Sequence, residues 1–235
     1  MALFACLNCG TGTETDCFYC AIRLYVCFSA STRRVFGCEQ VNIMRSCFFT
    51  GYVLLFFLIN GQGGKGMEFT LRKWRHEDAG DAARFANNEK IARNLRDGFP
   101  HPYTEADAEK YIRSCIANES LNLCYAIDVD GTAVGSVGVY ACDDVYRKSM
   151  ELGYWLGEEY WGKGIMSEAA RRICAEAFAK YDIVRIYAEP YAYNQGSRKV
   201  LEKSGFTLEG IMRQGVFKNG KIFDYCMYAL LRDEA

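Results

Sequence analysis

The chain has 235 residues, of which 50% are hydrophobic and 24% are charged, as in an ordinary soluble globular protein with a sizeable core. Its formal net charge is −1, so no polybasic surface indicates binding to nucleic acid or to an anionic membrane. The chain has only two histidines, which leaves little material for histidine-based metal sites or catalytic triads.

These averages hide a break at Met67. Seven of the 12 cysteines precede Met67, and the other five are scattered singly after it. Five of the 28 Lys and Arg residues and three of the 29 Asp and Glu residues also precede it, which leaves 23 and 26. We therefore divide the chain into a Cys-rich apolar segment, residues 1–66, and an acidic domain, residues 67–235.

The cysteines of the first segment have two interpretations. Cys6 and Cys9, followed by Cys17 and Cys20, have the residue types of a four-thiolate zinc site, although the gap between the pairs is short. A disulfide framework is the alternative, but no convincing secretory signal precedes it. The apolar run at residues 46–59 has 14 residues, fewer than the roughly 20 that a membrane span needs.

A translated leader is the interpretation that we favour for residues 1–66. Residues 61–66 read Gly-Gln-Gly-Gly-Lys-Gly, and purine-rich codons for this run would hold a ribosome-binding site just before Met67. We expect Met67 to be the true start and residues 1–66 to be disordered or non-native. A metal-binding module or an anchor remains the alternative, and the mass of the native N-terminal peptide decides between them.

The domain after Met67 begins with a strand, because residues 68–74 alternate between polar and apolar. Residues 78–95 are Ala-rich with helical period, interrupted near Asn87. Thr104 starts the next helix, since Asp107 stands where a capping box has its acid.

A hairpin and the central elements follow. Residues 123–129 and 133–141 pair across Asp130-Gly131, which supplies the two residues of positive φ that a tight hairpin turn needs. Residues 150–156 form a strand, and residues 167–181 form an amphipathic helix. The remaining elements are a strand at 184–188, a helix at 195–203, and strands at 210–217 and 223–231.

The strand at 150–156 leads into Tyr160-Trp-Gly-Lys-Gly-Ile-Met166 and then into a helix. Backbone amides in a glycine-containing turn at a helix N-terminus converge on one point, where the helix dipole favours an anion. Gly162 and Gly164 allow the backbone to approach a phosphate, and Lys163 adds positive charge. The Gly-Lys-Ser/Thr ending of a nucleotide-binding P-loop is absent.

A second motif, Tyr193-Asn-Gln-Gly-Ser-Arg-Lys-Val-Leu-Glu-Lys-Ser-Gly-Phe206, follows about thirty residues later. Together the two motifs resemble the GNAT N-acetyltransferases, in the branch of the ribosomal-protein enzymes RimJ and RimL. The resemblance covers residues 67–231. It implies an α/β (mixed α+β) fold whose bent mixed sheet has flanking helices and a splayed central strand pair, residues 150–156 and 184–188.

The resemblance also implies acetyl-CoA as co-substrate and assigns most of the site. The loop from Trp161 to Met166 would hold the pyrophosphate through its amides, and strand-edge backbone groups of Trp155 and Leu156 would pair with pantetheine. Asn194 would lie near the pantetheine. The cofactor-binding residues that we predict are Trp155, Leu156, Trp161, Gly162, Lys163, Gly164, Ile165, Met166, Ser167 and Asn194, and no metal ligand is predicted.

Two residues are predicted to act in catalysis. Glu151, at the start of the strand, is the candidate base acting through water, although a solvated strand-end carboxylate would have the same pattern. Many relatives carry a tyrosine seven residues after the asparagine of the second motif, as the acid for the leaving thiolate. Leu201 occupies that position, so Ser197 is our candidate instead, and a helix-face hydroxyl is the alternative.

The expected reaction is acetyl transfer to a primary amine, such as the N-terminal amine of a ribosomal protein. A small-molecule amine (polyamine, amino sugar or antibiotic) is the main alternative acceptor, and a CoA-binding regulatory module without catalysis is the other. We expect a cytoplasmic monomer or homodimer that binds neither nucleic acid nor membrane.

Overall fold

The computed structural model describes residues 67–235, so the predictions for residues 1–66 lie outside the described range. The strands are β1 (Thr70–Lys73), β2 (Leu123–Val129), β3 (Thr132–Ala141), β4 (Ser149–Leu156), β5 (Arg185–Ala188), β6 (Thr207–Lys218) and β7 (Lys221–Leu231). The helices are α1 (Ala79–Ala86), α2 (Glu89–Ala92), α3 (Glu105–Ala117), α4 (Ile165–Lys180) and α5 (Gln195–Lys203).

The strands form one seven-stranded mixed sheet in the order β1-β2-β3-β4-β5-β7-β6. Its neighbours are antiparallel except for β4 and β5 at the centre, which run parallel. The parallel pairing includes Met150 and ends at Glu151, opposite Tyr187, while β4 continues to Leu156. The predicted fold class and the predicted splay of the central pair are both confirmed.

The helices before the hairpin also agree with their sequence signals. The predicted break falls between α1 and α2, where the Asn88 side chain accepts a hydrogen bond from the Lys90 amide at 2.8 Å and caps α2. Thr104 and Asp107 form the predicted capping box at the start of α3. The loop between α2 and α3, residues 93–104, is called the acceptor loop below.

Helix α4 starts two residues before the predicted Ser167. Gly164, in the left-handed region at φ +80°, caps the helix, and Ile165 and Met166 are already helical. Both side chains are buried, so core packing draws the end of the loop into the first helical turn. The predicted apolar face is confirmed, because its residues Ala170, Ile173, Cys174, Ala177 and Phe178 are all buried.

The C-terminal hairpin is longer than predicted. Strand β6 starts at Thr207 and passes through two irregularities in register, between Leu208 and Gly210 and between Met212 and Val216. Such bulges interrupt the alternation that marks a strand in sequence, which explains the shorter prediction. No helix within residues 67–235 is both long enough and apolar enough to cross a bilayer.

One charged network joins the sheet to the first helices. Arg72 on β1 contacts Asp78 at 2.7 Å and Asp128 at 2.6 Å, and all three side chains are largely buried. Burial opposes ionisation of Asp78, but hydrogen bonds from Arg72 and from the Arg75 amide outweigh it, so the pKa of Asp78 is lowered. The carboxylate therefore stabilises the folded state above its ordinary pKa, and this contribution is lost as the pH falls through the lowered value.

We expect Asp78→Ala to reduce the free energy of unfolding by on the order of 3 kcal/mol at neutral pH, because it leaves Arg72 without one of its two partners. The difference from the parent protein should begin to shrink as the pH falls below about 4, the ordinary pKa of the carboxyl group, and should be lost as the pH passes through the lowered pKa of the folded state. Urea unfolding at several pH values measures both effects. Glu119→Ala, which breaks the exposed pair with Lys73, is the matched control and should cost less than about 1 kcal/mol. Equal losses in the two variants would contradict this interpretation.

Candidate active site

An open pocket of about 880 Å³ lies where β4 and β5 diverge. The acceptor loop, the two central strands, the start of α5 and the last residues of β6 all contribute to its lining. Among the lining residues are both predicted catalytic residues, Glu151 and Ser197.

The turn before α4 has the geometry of an anion site. The first four amides of the helix region, from Gly164 to Ser167, have no hydrogen-bond acceptor within residues 67–235, the part of the chain that the structure describes. Gly162 and Gly164 have φ angles of +73° and +80°, and a Cβ at either would meet no atom within 4 Å. The glycines therefore permit the turn and keep the space in front of these amides open.

The side chains of the turn mainly contact other parts of the protein. The Trp161 indole donates a hydrogen bond to the Leu156 carbonyl at 2.7 Å and so fastens the turn to the end of β4. The Lys163 ammonium lies 5.1 Å from the centre of the Tyr160 ring. Ser167 is buried, and its carbonyl accepts a hydrogen bond from Ser204 at 3.0 Å. The backbone, more than the side chains, is thus available to an anion here.

The assignment of Trp155 is corrected by the register of β3 and β4. In an antiparallel pair, alternate residues direct both backbone groups at the partner strand. The Gly157 amide donates to the Val134 carbonyl at 2.8 Å, and the register from this bond makes Trp155 and Ser136 a bonded pair. The backbone groups of Trp155 therefore face β3, and its buried side chain packs edge-on to Phe99.

The gap that opens between β4 and β5 beyond Glu151 is called the slot below, and the backbone groups that face it belong to the intervening residues of β4. By the same alternation these are Leu152, Tyr154 and Leu156. The prediction for Leu156 thus agrees with the strand geometry, although its carbonyl already accepts the Trp161 hydrogen bond. The sequence predicts a strand here but not which residues alternate toward β3, which is why Trp155 was misassigned.

The second motif brings the predicted residue Ser197 to the pocket, while the predicted residue Asn194 holds the start of α5 and is not among the lining residues. Asn194 caps α5, accepting a hydrogen bond from the Ser197 amide at 3.2 Å. The Ser197 hydroxyl lies 2.8 Å from the Tyr154 hydroxyl, and Tyr154 also lies 3.2 Å from the Ser197 carbonyl. Burial raises the pKa of Tyr154 above its ordinary value, so the phenol keeps its proton at neutral pH. Leu201 is fully buried and faces the core instead.

Glu151 lies on the opposite face of β4 from Tyr154. Its carboxylate accepts two hydrogen bonds from Arg96, at 2.6 and 3.1 Å, and the same guanidinium donates to Glu189 at 2.8 Å. Burial raises the pKa of Glu151, the Glu189 carboxylate raises it further, and Arg96 opposes both. A carboxylate and a hydroxyl pair therefore enter the pocket from opposite sides of one strand.

Sequence reasoning missed Arg96 and Glu189. Glu189 directly follows β5, and the carboxyl end of a strand at a break in a sheet is a common site position, so a signal existed. Arg96 stands in the acceptor loop without any motif, and we find no sequence signal that singles it out.

The inner end of the pocket carries a second hydroxyl cluster that the motifs do not include. The Tyr111 hydroxyl lies 2.7 Å from the Ser136 hydroxyl and 3.2 Å from the Tyr140 hydroxyl. Burial raises the pKa of both tyrosines, so these groups are neutral donors and acceptors.

Within residues 67–235, no group of three or more His, Cys, Asp or Glu side chains is arranged to hold a metal ion.

The chain is similar in sequence to several known acetyltransferases. The putative ribosomal N-acetyltransferase YdaF of Bacillus subtilis is 37% identical over 105 residues, which are 45% of this chain and 57% of that protein. The ribosomal-protein-serine acetyltransferase of Escherichia coli is 33% identical over 87 residues, 37% of this chain and 49% of that protein. The chain thus spans about half the length of these curated relatives.

Solved structures show the same fold. A RimL ribosomal L7/L12 alpha-N-protein acetyltransferase in complex with coenzyme A superposes with a TM-score of 0.63 at 24% identity, covering 71% of this chain and 96% of that one. RimJ of Mycobacterium smegmatis in complex with CoA-disulfide also has a TM-score of 0.63, at 23% identity, with 71% and 83% covered.

The family model of the acetyltransferase (GNAT) domain matches residues 68–207, more than half of the chain. This range contains the turn before α4, the splayed strands and the capped start of α5. The chain belongs to the acetyltransferase (GNAT) domain family.

Proposed function

We propose that this protein transfers the acetyl group of acetyl-CoA to a primary amine, and that the acceptor is a protein N-terminal amine. The observation that carries the proposal is the row of unpartnered amides at Gly164–Ser167, at the start of the helix that follows β4. A helix N-terminus with free amides suits a pyrophosphate. The CoA complexes of the two solved RimL and RimJ structures support this donor.

The chain's own groups fit the remainder of the donor. Backbone groups of Leu152 and Tyr154, which face the slot, would pair with the amides of pantetheine as an added strand does. The acetyl thioester would then lie in the pocket beside the Tyr154 and Ser197 hydroxyls. Asn194 would contribute by holding the start of α5 in place, through its cap on Ser197.

The proposed reaction needs two proton transfers, and the pocket has a group for each. Glu151 takes a proton from the attacking amine, directly or through water, so that the nitrogen lone pair can form the new C–N bond. As the C–S bond breaks, the Ser197 hydroxyl gives a proton to the thiolate and takes one from Tyr154, 2.8 Å away. Tyr154 regains its proton from water in the open pocket, and Glu151 releases the proton of the amine to water, so every group ends in its starting state. No covalent bond between enzyme and acetyl group is required.

The acceptor is proposed from the relatives. Two of them carry ribosomal acetyltransferase names, and the pocket is open to solvent. A polyamine is the second candidate, because two carboxylates, Glu151 and Glu189, border the pocket, and a spermidine N(1)-acetyltransferase of Escherichia coli is 23% identical over 151 residues. Two carboxylates suit a small polycation as well as an α-ammonium group.

The full-length chain should therefore be incubated with acetyl-CoA and a panel of peptides, polyamines and amino sugars, with mass spectrometric detection of acetylated products. The 12 cysteines make a thiol-reactive dye unsuitable. We expect acetylation of peptides on the α-amine and none of peptides with blocked N-termini. Turnover of polyamines alone would establish the second candidate, and acetyl-CoA binding without turnover of any amine would contradict the proposal.

A further inference from the structure

Arg96 bridges the acceptor loop and the sheet. Its guanidinium holds Glu151 of β4 and Glu189, the residue after β5, with donor–acceptor distances of 2.6 to 3.1 Å. These are the two carboxylates at the Glu151 side of the pocket, so an arginine from the chain occupies the place where an amine acceptor must arrive.

The three side chains differ in how firmly they are held. The side chains of Glu151, on β4, and of Glu189, directly after β5, are 24% and 27% exposed, whereas the Arg96 side chain is 67% exposed and comes from a loop. Ion pairs of such exposure add little to stability. Arg96 can therefore leave by a local movement, while the two carboxylates stay in place.

Removal of Arg96 leaves an uncompensated charge of −2 at the pocket, which only another cation neutralises well. On the basis of the proposed function, we infer that Arg96 is an internal substitute for the ammonium group of the acceptor, which displaces it and binds between Glu151 and Glu189. Glu189 then determines specificity for a protonated amine, and Arg96 holds the base in its resting state.

This displacement also activates the base. While Arg96 is bound, its charge opposes the effects of burial and of Glu189 on the pKa of Glu151; once Arg96 leaves, the carboxylate becomes a stronger proton acceptor. The proton moves from the bound ammonium to Glu151, which frees the nitrogen lone pair for attack. Binding of a protonated amine and activation of the base are thereby the same event.

Charged and titratable side chains from several neighbouring elements face Glu151. Arg96 comes from the acceptor loop, Glu189 from the end of β5, the Tyr187 phenol from β5 itself and Tyr140 from β3, opposite Glu151. The other ion pair of the loop, Asp97 to Lys218 at 2.8 Å, makes no hydrogen bond to Glu151 and supplies a control.

The test is the pH dependence of kcat/KM with an N-terminal peptide acceptor, using the full-length chain. We expect Arg96→Ala to move the acidic limb to higher pH and Glu189→Gln to move it to lower pH. Glu189→Gln should also raise KM for the acceptor about tenfold with little change in kcat at the pH optimum. Arg96→Lys, which keeps the charge, should leave the limb near its original position.

Asp97→Asn loosens the same loop without touching the base, so its acidic limb should not move. If Arg96→Ala lowers kcat/KM equally at all pH values, as Asp97→Asn would, then Arg96 only tethers the loop and the inference is wrong. If the parent protein acetylates no amine at all, the proposed function has failed instead, and the two failures are therefore distinguishable.

Discussion

Replacement of Gly164 by alanine should weaken acetyl-CoA binding by about tenfold or more. Gly164 has φ +80°, a conformation that costs a residue with a Cβ roughly 1–2 kcal/mol, and the turn relaxes when that strain is relieved. A Cβ at Gly164 would meet no protein atom within 4 Å, so the strain comes from the backbone and not from a clash. Titration calorimetry of acetyl-CoA into the full-length chain measures the change.

Gly220→Ala is the matched control for this variant. Gly220 has φ +75°, and a Cβ there would also meet no atom within 4 Å, but it lies in the β6–β7 turn, away from α4. Both substitutions should lower the melting temperature by a similar amount, because they impose the same backbone strain. Equal acetyl-CoA affinity in the two variants would show that the turn at Gly164–Ser167 is not part of the binding site.

The second large effect should come from the hydroxyl pair. Ser197→Ala should lower kcat by about 100-fold, since a positioned acid contributes on the order of 10²–10⁴ to the rate, while the dissociation constant of acetyl-CoA stays nearly unchanged. Tyr154→Phe removes the hydroxyl that lies 2.8 Å from Ser197 and should give a loss of similar direction. Steady-state kinetics on both variants and on the double variant measure their coupling.

Residues that act as a unit are not additive, so the double variant should be little worse than the more impaired single one. Tyr125→Phe is the control, because it removes a tyrosine hydroxyl bonded to Glu176, outside the pocket lining. Its kcat should match that of the parent protein. Multiplicative losses in the double variant would show that Ser197 and Tyr154 do not share one proton path.

Most of the fold was predictable from the sequence where local chemistry decides it. The Thr104–Asp107 capping box, the Asp130-Gly131 turn and the break at Asn87-Asn88 are short-range signals, and all three are present. The start of α4 was misplaced because tertiary packing buries Ile165 and Met166 and so extends the helix into the loop. The start of β6 was misplaced because bulges interrupt the alternation of polar and apolar residues.

In the candidate site, too, local features could be predicted from the sequence and long-range contacts could not. The turn around Gly162 and Gly164 is contiguous in the chain, so its spacing could be recognised. The ion pairs of Arg96 with Glu151 and Glu189 join residues 55 and 93 positions apart, and no local pattern specifies such contacts. The orientation of Trp155 depends on register with β3, which is also a long-range property.

In the proposed function, the turn at the start of α4 holds the CoA of an acetyl donor whose acetyl group moves to an N-terminal amine. The most direct measurement uses acetyl-CoA with an isotopically labelled acetyl group and an unblocked peptide, followed by fragment mass spectrometry of the product. Our account predicts the label on the peptide α-amine with the parent protein, and at least tenfold less with Gly164→Ala at subsaturating donor. Absence of label from the peptide, or equal labelling by Gly164→Ala under the same conditions, would contradict it.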